Sequence, residues 1–387
     1  MKGLRWVTAG ESHGKALVGI LEGMPAGLAL DLERVDAELA RRQRGYGRGG
    51  RMKIERDRIE LLAGTKGGLT IGSPLAFTIA NHDQTIERLP VPANPRPGHA
   101  DLAGCQKFGH RDPRAVLERA SARETSTRVA LGALARQLVE GFGVELFAHV
   151  LELGGVGVRA DAWQAAGERR AALRETSEFL CLDPESEPRL RARVDQASAA
   201  RDSLGGVFEV RVLGLPPGLG SYANPYARLT SRLGAALFSI PAIKGVEFGL
   251  GFGAARLPGS EVHYAILPRD AQPGSASARW GRFARATNRA GGLEGGMTTG
   301  EPLVVRVAMK PIPTLRAGLP TVEFESGAAV QATYQRSDVT SVPAASVVGE
   351  AVLALELTSA FLEKFGGDSL QQVRASFEAW RDEVRRL

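Results

Sequence analysis

Cysteine is almost missing from this chain: Cys105 and Cys181 are the two examples among 387 residues. Two thiols cannot make a disulfide framework for a chain of this length, so a stapled secreted fold is excluded and a reducing compartment, the cytoplasm, is expected. Lysine is scarce too, with eight among the 49 basic residues, the other 41 being arginine. Aromatic residues make up 6 %, and neither an RNA-binding aromatic motif nor a zinc-finger spacing occurs. That argues against a nucleic-acid partner, although the formal net charge of +6 invites one. No apolar run approaches the roughly 18 residues of a membrane span, so no membrane partner is expected. Met1–Gly14 carries no apolar stretch of the kind a secretory signal needs. The six histidines (13, 82, 99, 110, 149 and 263) show no metal-ligand spacing, so no metal is expected. Repeats, low-complexity tracts and Ser/Gly/Pro linkers are also missing, and residues 1–387 are therefore read as one domain.

What is present is an ordinary amount of core-forming material, 43 % hydrophobic against 24 % charged. Strand-like runs are Leu4–Thr8, Ala16–Leu21, Arg51–Leu62, Pro74–Ala80, Val144–Leu153, Gly206–Leu213, Lys244–Phe248, Val262–Leu267 and Leu303–Met309. Helical patterns are Leu32–Arg42 after the cap Asp31, a long helix from Asp112-Pro113 to about Val139, Pro188–Ala200, Pro225–Phe238, Ala344–Lys364 and Ser369–Arg386. Strand often follows strand with no helix between, which predicts an α+β fold with antiparallel sheets packed against helices.

Six short segments carry the candidate chemistry. Gly10-Glu11-Ser12-His13-Gly14 fits the spacing of a nucleophile elbow, and His13 can give or take a proton near neutral pH. Arg41–Met52 interleaves Arg41, Arg42, Arg44, Arg48 and Arg51 with four glycines, a composition suited to a mobile clamp on an anion. Phe108–Arg128 holds His110 and then Arg119, Ser121, Arg123 and Arg128. On one helix Arg119 and Arg123 would share a face, with Glu118 and Glu124 as salt-bridge partners. Gly295–Gly300 is a glycine-rich turn, and Lys310-Pro311-Ile312-Pro313-Thr314 leaves a strand along a proline-stiffened path that offers donors from Lys310 and Thr314. Arg336-Ser337-Asp338 precedes the helix at Ala344. His99 is read as structural or supporting. Two loose dinucleotide fingerprints, from Gly155 and from Gly249, lack a strand–turn–helix frame. Two further classes stay open on these residues: a serine hydrolase using Ser12, which a fluorophosphonate would label, and a basic nucleic-acid module, which would bind duplex in a salt-sensitive way.

In this order the six segments resemble the chorismate synthase family, and the resemblance runs from Gly10 to about Phe365. It implies a single β-α-β sandwich domain that assembles as a homotetramer. It implies a carbon–oxygen lyase acting on a phosphate, which converts 5-enolpyruvylshikimate 3-phosphate to chorismate on the route to aromatic amino acids. The family requires a reduced flavin, read here as FMN with FAD named beside it, and NADPH is a further reductant. By position, the flavin contacts would be Arg119, Ala120, Ser121, Pro241, Ala242, Gly295, Lys310, Pro311, Ile312, Pro313, Thr314 and Arg336. Arg42 and Arg48 would serve NADP, and Ser12, Arg48, Arg51 and Arg123 the substrate. His13, His110 and Asp338 would manage protons. Ala120 stands where the family has a serine, so one flavin hydrogen bond is expected to come from backbone or to be absent.

Overall fold

A computed structural model describes residues 3–48, 56–332 and 338–387 of the chain. The strands used below are β1 Arg5–Ala9, β2 Ala16–Glu22, β3 Glu60–Ala63, β4 Leu75–Ala80, β5 Glu145–Leu153, β6 Val156–Gly157, β7 Gly206–Leu213, β8 Ile243–Phe248 and β9 Leu303–Met309. The helices are α1 Leu32–Gln43, α2 Asp101–Phe108, α3 Arg114–Arg119, α4 Thr125–Glu140, α5 Ala162–Ala166, α6 Arg170–Thr176, α7 Glu187–Ala199, α8 Leu229–Phe238, the single turn α9 Gly259–Val262, α10 Val342–Phe365 and α11 Leu370–Val384.

Two antiparallel sheets enclose a helical layer, which is the predicted α+β arrangement. The first sheet runs β1-β2-β4-β3 and the second β8-β9-β7-β5-β6. Alternation decides what each face meets. In β2 and β4, Leu17, Leu21, Leu75, Phe77 and Ile79 are buried against the helices, while Ile20 and its neighbour Val7 on β1 point away and are exposed. Helix α4 packs on the first sheet and on α10, and α10 covers β5 and β7 of the second. Small residues set these distances. A Cβ on Gly132 of α4 would come within 2.6 Å of the Ala351 backbone on α10, and one on Gly349 would strike Phe208 of β7. One hydrophobic core runs from Leu17 to Phe377 through all three layers.

Helix α10 corrects the expectation about apolar runs. It is long and apolar enough to cross a membrane, with a mean hydropathy of 1.6, yet 94 % of that stretch is buried inside the protein. Its Glu350 shows why it belongs there. The buried carboxylate accepts bonds from Arg41 (3.0 Å), Arg136 (2.6 Å) and Arg174 (3.3 Å), and from the Ala148 backbone at 2.8 Å.

Three element expectations also change. The long helix from 112 to 139 is broken into α3, a 3₁₀ turn Ala122–Glu124 and α4. Ser121 causes the break: it is extended (φ −66°, ψ 142°) and its Oγ accepts the Arg123 N–H, which caps a new turn and stops the old one. Of the run Arg51–Leu62 the strand covers Glu60–Ala63, and residues 51–55 lie outside the described part. The run Val262–Leu267 is the end of α9 followed by a short strand Ile266–Pro268. Helices α2, α5 and α6 were not foreseen.

Candidate active site

The site begins with the β1–β2 hairpin. Gly10 sits at φ +104°, and a side chain there would come within 2.4 Å of the Ala16 carbonyl, so the turn needs glycine. Buried Asn81, just past β4, donates from Nδ2 to the carbonyls of Glu11 (3.0 Å) and Gly14 (2.9 Å) and so holds the loop's shape. Because this turn joins two antiparallel strands, it is not the strand-to-helix elbow that a serine hydrolase requires, and Ser12 Oγ accepts from Ser121 Oγ at 3.2 Å. His13 turns its ring toward α3. Its Nδ1 lies 2.8 Å and 3.0 Å from the two oxygens of Glu118, and its backbone N–H donates to Oε2 at 2.9 Å. On the other edge, Nε2 is 3.9 Å from Asp83. Burial pushes the Glu118 carboxyl up, but the bonds from His13 and Arg114 outweigh it and leave the group below its ordinary value.

The break after α3 then separates the arginines that one helix would have placed together. Arg119 reaches back to the carbonyls of Gly10 (3.0 Å) and Thr8 (2.9 Å). Arg123 turns inward, to Asn81 Oδ1 at 2.9 Å and Asp57 Oδ1 at 2.5 Å. The expected ladder of Glu118 and Glu124 with these two is therefore replaced. Glu118 serves His13 and Arg114, and Glu124 takes Arg128 and Thr8. The Ala120 N–H is bonded to the Val116 carbonyl, so that backbone donor is already committed.

Arg42, at the end of α1, is buried and bonds Thr125 Oγ1 through Nε (3.0 Å) and Nη2 (2.9 Å), and the Ala122 carbonyl at 2.7 Å. Loss of water lowers its pKa to about 10, with Asp57 opposing the shift and Arg48 and Arg123 adding to it. Arg48 carries its Nε to 3.1 Å from Asp338, whose same oxygen accepts from Ser341 at 3.0 Å. Across from these groups, Lys310 Nζ donates to the Gly98 carbonyl at 2.7 Å. Burial and the nearby Lys244 lower its pKa. Its backbone N–H bonds Ala242, which sits in the left-handed region at φ +70°, a strained placement for a residue with a side chain.

These segments meet around one cavity of about 1280 Å³. Single-ligand pockets hold roughly 300–1,000 Å³, so this one has room for two small molecules together. Ser12, His13, Arg42, Arg48, Arg119, Ala120, Ser121, Arg123, Pro241, Ala242, Lys310, Ile312, Pro313, Thr314 and Asp338 all line it. Among the described residues, eight Arg and Lys side chains and three carboxylates, Asp83, Glu124 and Asp338, line it, a balance that favours an anion. Leu89, Pro90, Val91, Pro92, Leu117 and Met309 add apolar surface suited to a flat ring system. Pro311, Gly295 and His110 do not line the cavity. His110 is exposed at the end of α2 and stacks on Phe108 with centroids 5.8 Å apart, and Gly295 forms a tight hairpin turn at φ +58°. Arg51 and Arg336 lie outside the described residues.

Sequence reasoning missed Asn81 and Asp57 altogether, and it gave Glu118 the wrong partner. No local pattern marks Asn81 or Asp57, because their side chains bond residues far along the chain, Asn81 reaching Glu11, Gly14 and Arg123 and Asp57 reaching Arg42 and Arg123. His99 lines the cavity, and with Arg96 it clasps buried Asp101, Arg96 gripping both carboxylate oxygens at 2.8 Å. A smaller hollow of about 650 Å³, beside Arg269, Arg279 and Arg385, carries none of the motif residues.

Fold and cavity together define an α+β protein with a cationic cavity suited to an anionic ligand. The sequence model described as chorismate synthase matches residues 4–362. A chorismate synthase of Rubrobacter xylanophilus is 52 % identical over 382 residues, 96 % of this chain and 95 % of that one. One of Geobacter sulfurreducens is 50 % identical over 395 residues, 99 % of each. A solved structure titled "Crystal Structure of Chorismate Synthase" superposes with a TM-score of 0.80 at 40 % identity and covers 100 % of both chains. The chain belongs to the chorismate synthase family.

Proposed function

We propose that this chain catalyses the loss of phosphate from 5-enolpyruvylshikimate 3-phosphate to give chorismate. One C–O bond to phosphate and one C–H bond break, a new C=C bond forms, and phosphate and a proton leave. The observation that carries this reading is the convergence of the 10–14, 42–48, 119–123, 241–242 and 310–314 segments on one cationic cavity sized for two ligands. Arg48 and Arg123, with Ser12 beside them, hold the phosphate and carboxylates, and fixed cations there are worth most where negative charge grows on the leaving group. Arg51 belongs to the same set by resemblance.

The wall formed by Arg119–Ser121, Pro241-Ala242 and Lys310–Thr314 suits a flavin: an extended Ser121, a Lys310 ammonium and a proline-stiffened strand exit edge an apolar surface. The ligand proposed there is FMN rather than FAD, with Arg336 and Gly295 added by resemblance. Reduced FMN, when bound, supplies the electron density that an unactivated C–H and C–O pair needs. His13 passes a proton between Nε2 and the leaving phosphate. Asp338 holds Arg48 in place and takes part in proton movement at the flavin side, and His110 is kept as a second proton carrier by resemblance. Where NADPH is the reductant, its candidate contacts by resemblance are Arg48, which is paired with Asp338, and Arg42, which is bonded to residues 122 and 125.

We place the work in one catalytic domain in the cytoplasm, in a homotetramer. The outward face of the first sheet supports assembly: Val7 is 61 % and Ile20 40 % exposed, with Ala9, Val18 and Ala76 around them. Light scattering should give a mass near four chains. The function is tested by anaerobic phosphate release with and without dithionite-reduced FMN. Release should need the reduced flavin, and full turnover without it would overturn the reading.

A further inference from the structure

The sequence offered Glu118 only as a salt-bridge partner of nearby arginines, yet it is a fully enclosed acid beside the cavity. Its side chain is fully buried, and its distance to His13 Nδ1 (2.8 Å) is shorter than that to Arg114 Nη1 (3.4 Å). It holds the histidine loop three ways. Its carboxylate meets the His13 ring and the His13 backbone N–H, and its own backbone carbonyl accepts the Ser12 N–H at 3.1 Å. A carboxylate only accepts hydrogen bonds, so Nδ1 of the neutral ring must carry the hydrogen. Nε2 is then the nitrogen with a free lone pair, on the edge that faces Asp83 and the cavity. A buried acid whose purpose was to neutralise Arg114 would put its shorter contact there, and the geometry does the reverse.

We propose that Glu118 is the positioning residue of His13: it fixes the tautomer and the ring orientation so that Nε2 exchanges the proton with the leaving group. The charged and titratable groups around the ring are Glu118 and Arg114 from α3 and Asp83 from the segment after β4. The carboxylate also stabilises the imidazolium that forms when Nε2 takes a proton, without itself becoming protonated. The proposal rests on the reading of His13 as a proton carrier, and its test separates the two.

In the full chain with reduced FMN, Glu118→Gln keeps the shape of the side chain and removes its charge. The expected result is a kcat lowered at least about 10-fold and at most about 10,000-fold, the loss seen when the acid behind a catalytic histidine becomes an amide, with KM changed less than about twofold. In a His13→Ala background the same substitution should change kcat by less than about twofold, because Glu118 then has nothing to position. Long-range ¹⁵N spectra of histidine-labelled protein should show His13 as the Nδ1–H tautomer in the native chain and a mixture in Glu118→Gln. Additive losses in the two backgrounds, an unchanged kcat, or an Nε2–H tautomer in the native chain would each overturn the proposal. If Glu118→Gln does not fold, Glu118→Asp takes its place in the same cycle, keeping the charge but drawing it back from Nδ1, with the same expected non-additivity. If the native chain makes no chorismate, the proposed function fails, while the tautomer measurement still decides the role of Glu118.

Discussion

Arg41 and Arg42 are consecutive on α1 and both are buried, but they point into different parts of the molecule. Arg41 joins Arg136 and Arg174 around Glu350, with Glu38 and Glu140 completing the charge, and all of this lies between helices away from the cavity. Arg42 joins Arg123 around Asp57, with Arg48 close enough to depress its pKa, and this group forms the cavity wall. In the first cluster acids match bases, so every charge is satisfied inside the protein. In the second, Asp57 and Asp338 face Arg42, Arg48 and Arg123, three cations against two carboxylates among the described residues, and a positive surplus is left at the surface of a cavity. The same residue type at adjacent positions therefore serves cohesion in one case and ligand attraction in the other, and the local count of carboxylates decides which.

The sharpest way to break that contrast is to remove the acid at the centre of the first cluster. Glu350→Ala strands three buried cations and should destabilise the fold by about 3–5 kcal/mol, the cost of opening a buried pair, measured by chemical denaturation. A loss under about 1 kcal/mol would show that the cluster contributes little to cohesion. On the cavity side the largest effect belongs to His13. His13→Ala should lower kcat about 100- to 10,000-fold while FMN still binds, as fluorescence quenching would show. A near-normal rate would return His13 to a structural role.

The adjacent arginines themselves give the next test. Arg42→Lys should lower kcat/KM about tenfold or more, since an ammonium cannot reproduce bonds to both Thr125 and Ala122. Arg41→Lys should lower the thermal midpoint and leave kcat/KM within about twofold. Equal effects of the two on turnover would erase the distinction. Acid sensitivity should follow the first cluster. Loss of water raises the Glu350 pKa, and the surrounding arginines more than reverse this, so its folded value lies below the ordinary 4.5. A depressed acid stabilises the fold fully above that ordinary value, and the contribution is lost as pH falls through the folded one. The midpoint of Glu350→Gln should therefore fall less steeply than the native midpoint as pH drops below about 4.5, and parallel curves would refute the assignment. The smallest effect is expected at Ala242. Ala242→Gly relieves a left-handed placement worth about 1–2 kcal/mol but loosens the unfolded chain by about 0.5–1 kcal/mol, for a net gain of roughly 0.5 kcal/mol by denaturant midpoint. A clear loss would mean that the methyl group packs usefully against the cavity wall.

Much of the frame was legible. β7 and β9 match their predicted runs residue for residue, and α1 stops where glycines crowd the chain. Alternation and glycine content are local properties, and local rules read them. The division of the long helix at Ser121 was not legible, because nothing in the pattern from Pro113 to Val139 forbids a continuous helix. Ser121 makes the break, and tertiary bonds hold it: the Glu118 carbonyl accepts the Ser12 N–H, and Arg119 bonds the carbonyls of Thr8 and Gly10.

By itself the sequence determined which residue types could meet an anion and the order in which they lie along the chain. It also determined, through 3.6- and two-residue periods, which faces would be buried. The tertiary structure decided which carboxylate each arginine meets, which histidine edge faces the cavity, and that α10 packs inside a protein layer rather than facing lipid. Those outcomes depend on contacts between residues up to 309 positions apart, as with Arg41 and Glu350. Hydrogen bonds and ion pairs act over a few ångströms of space whatever the separation along the chain, so no short window of sequence contains them.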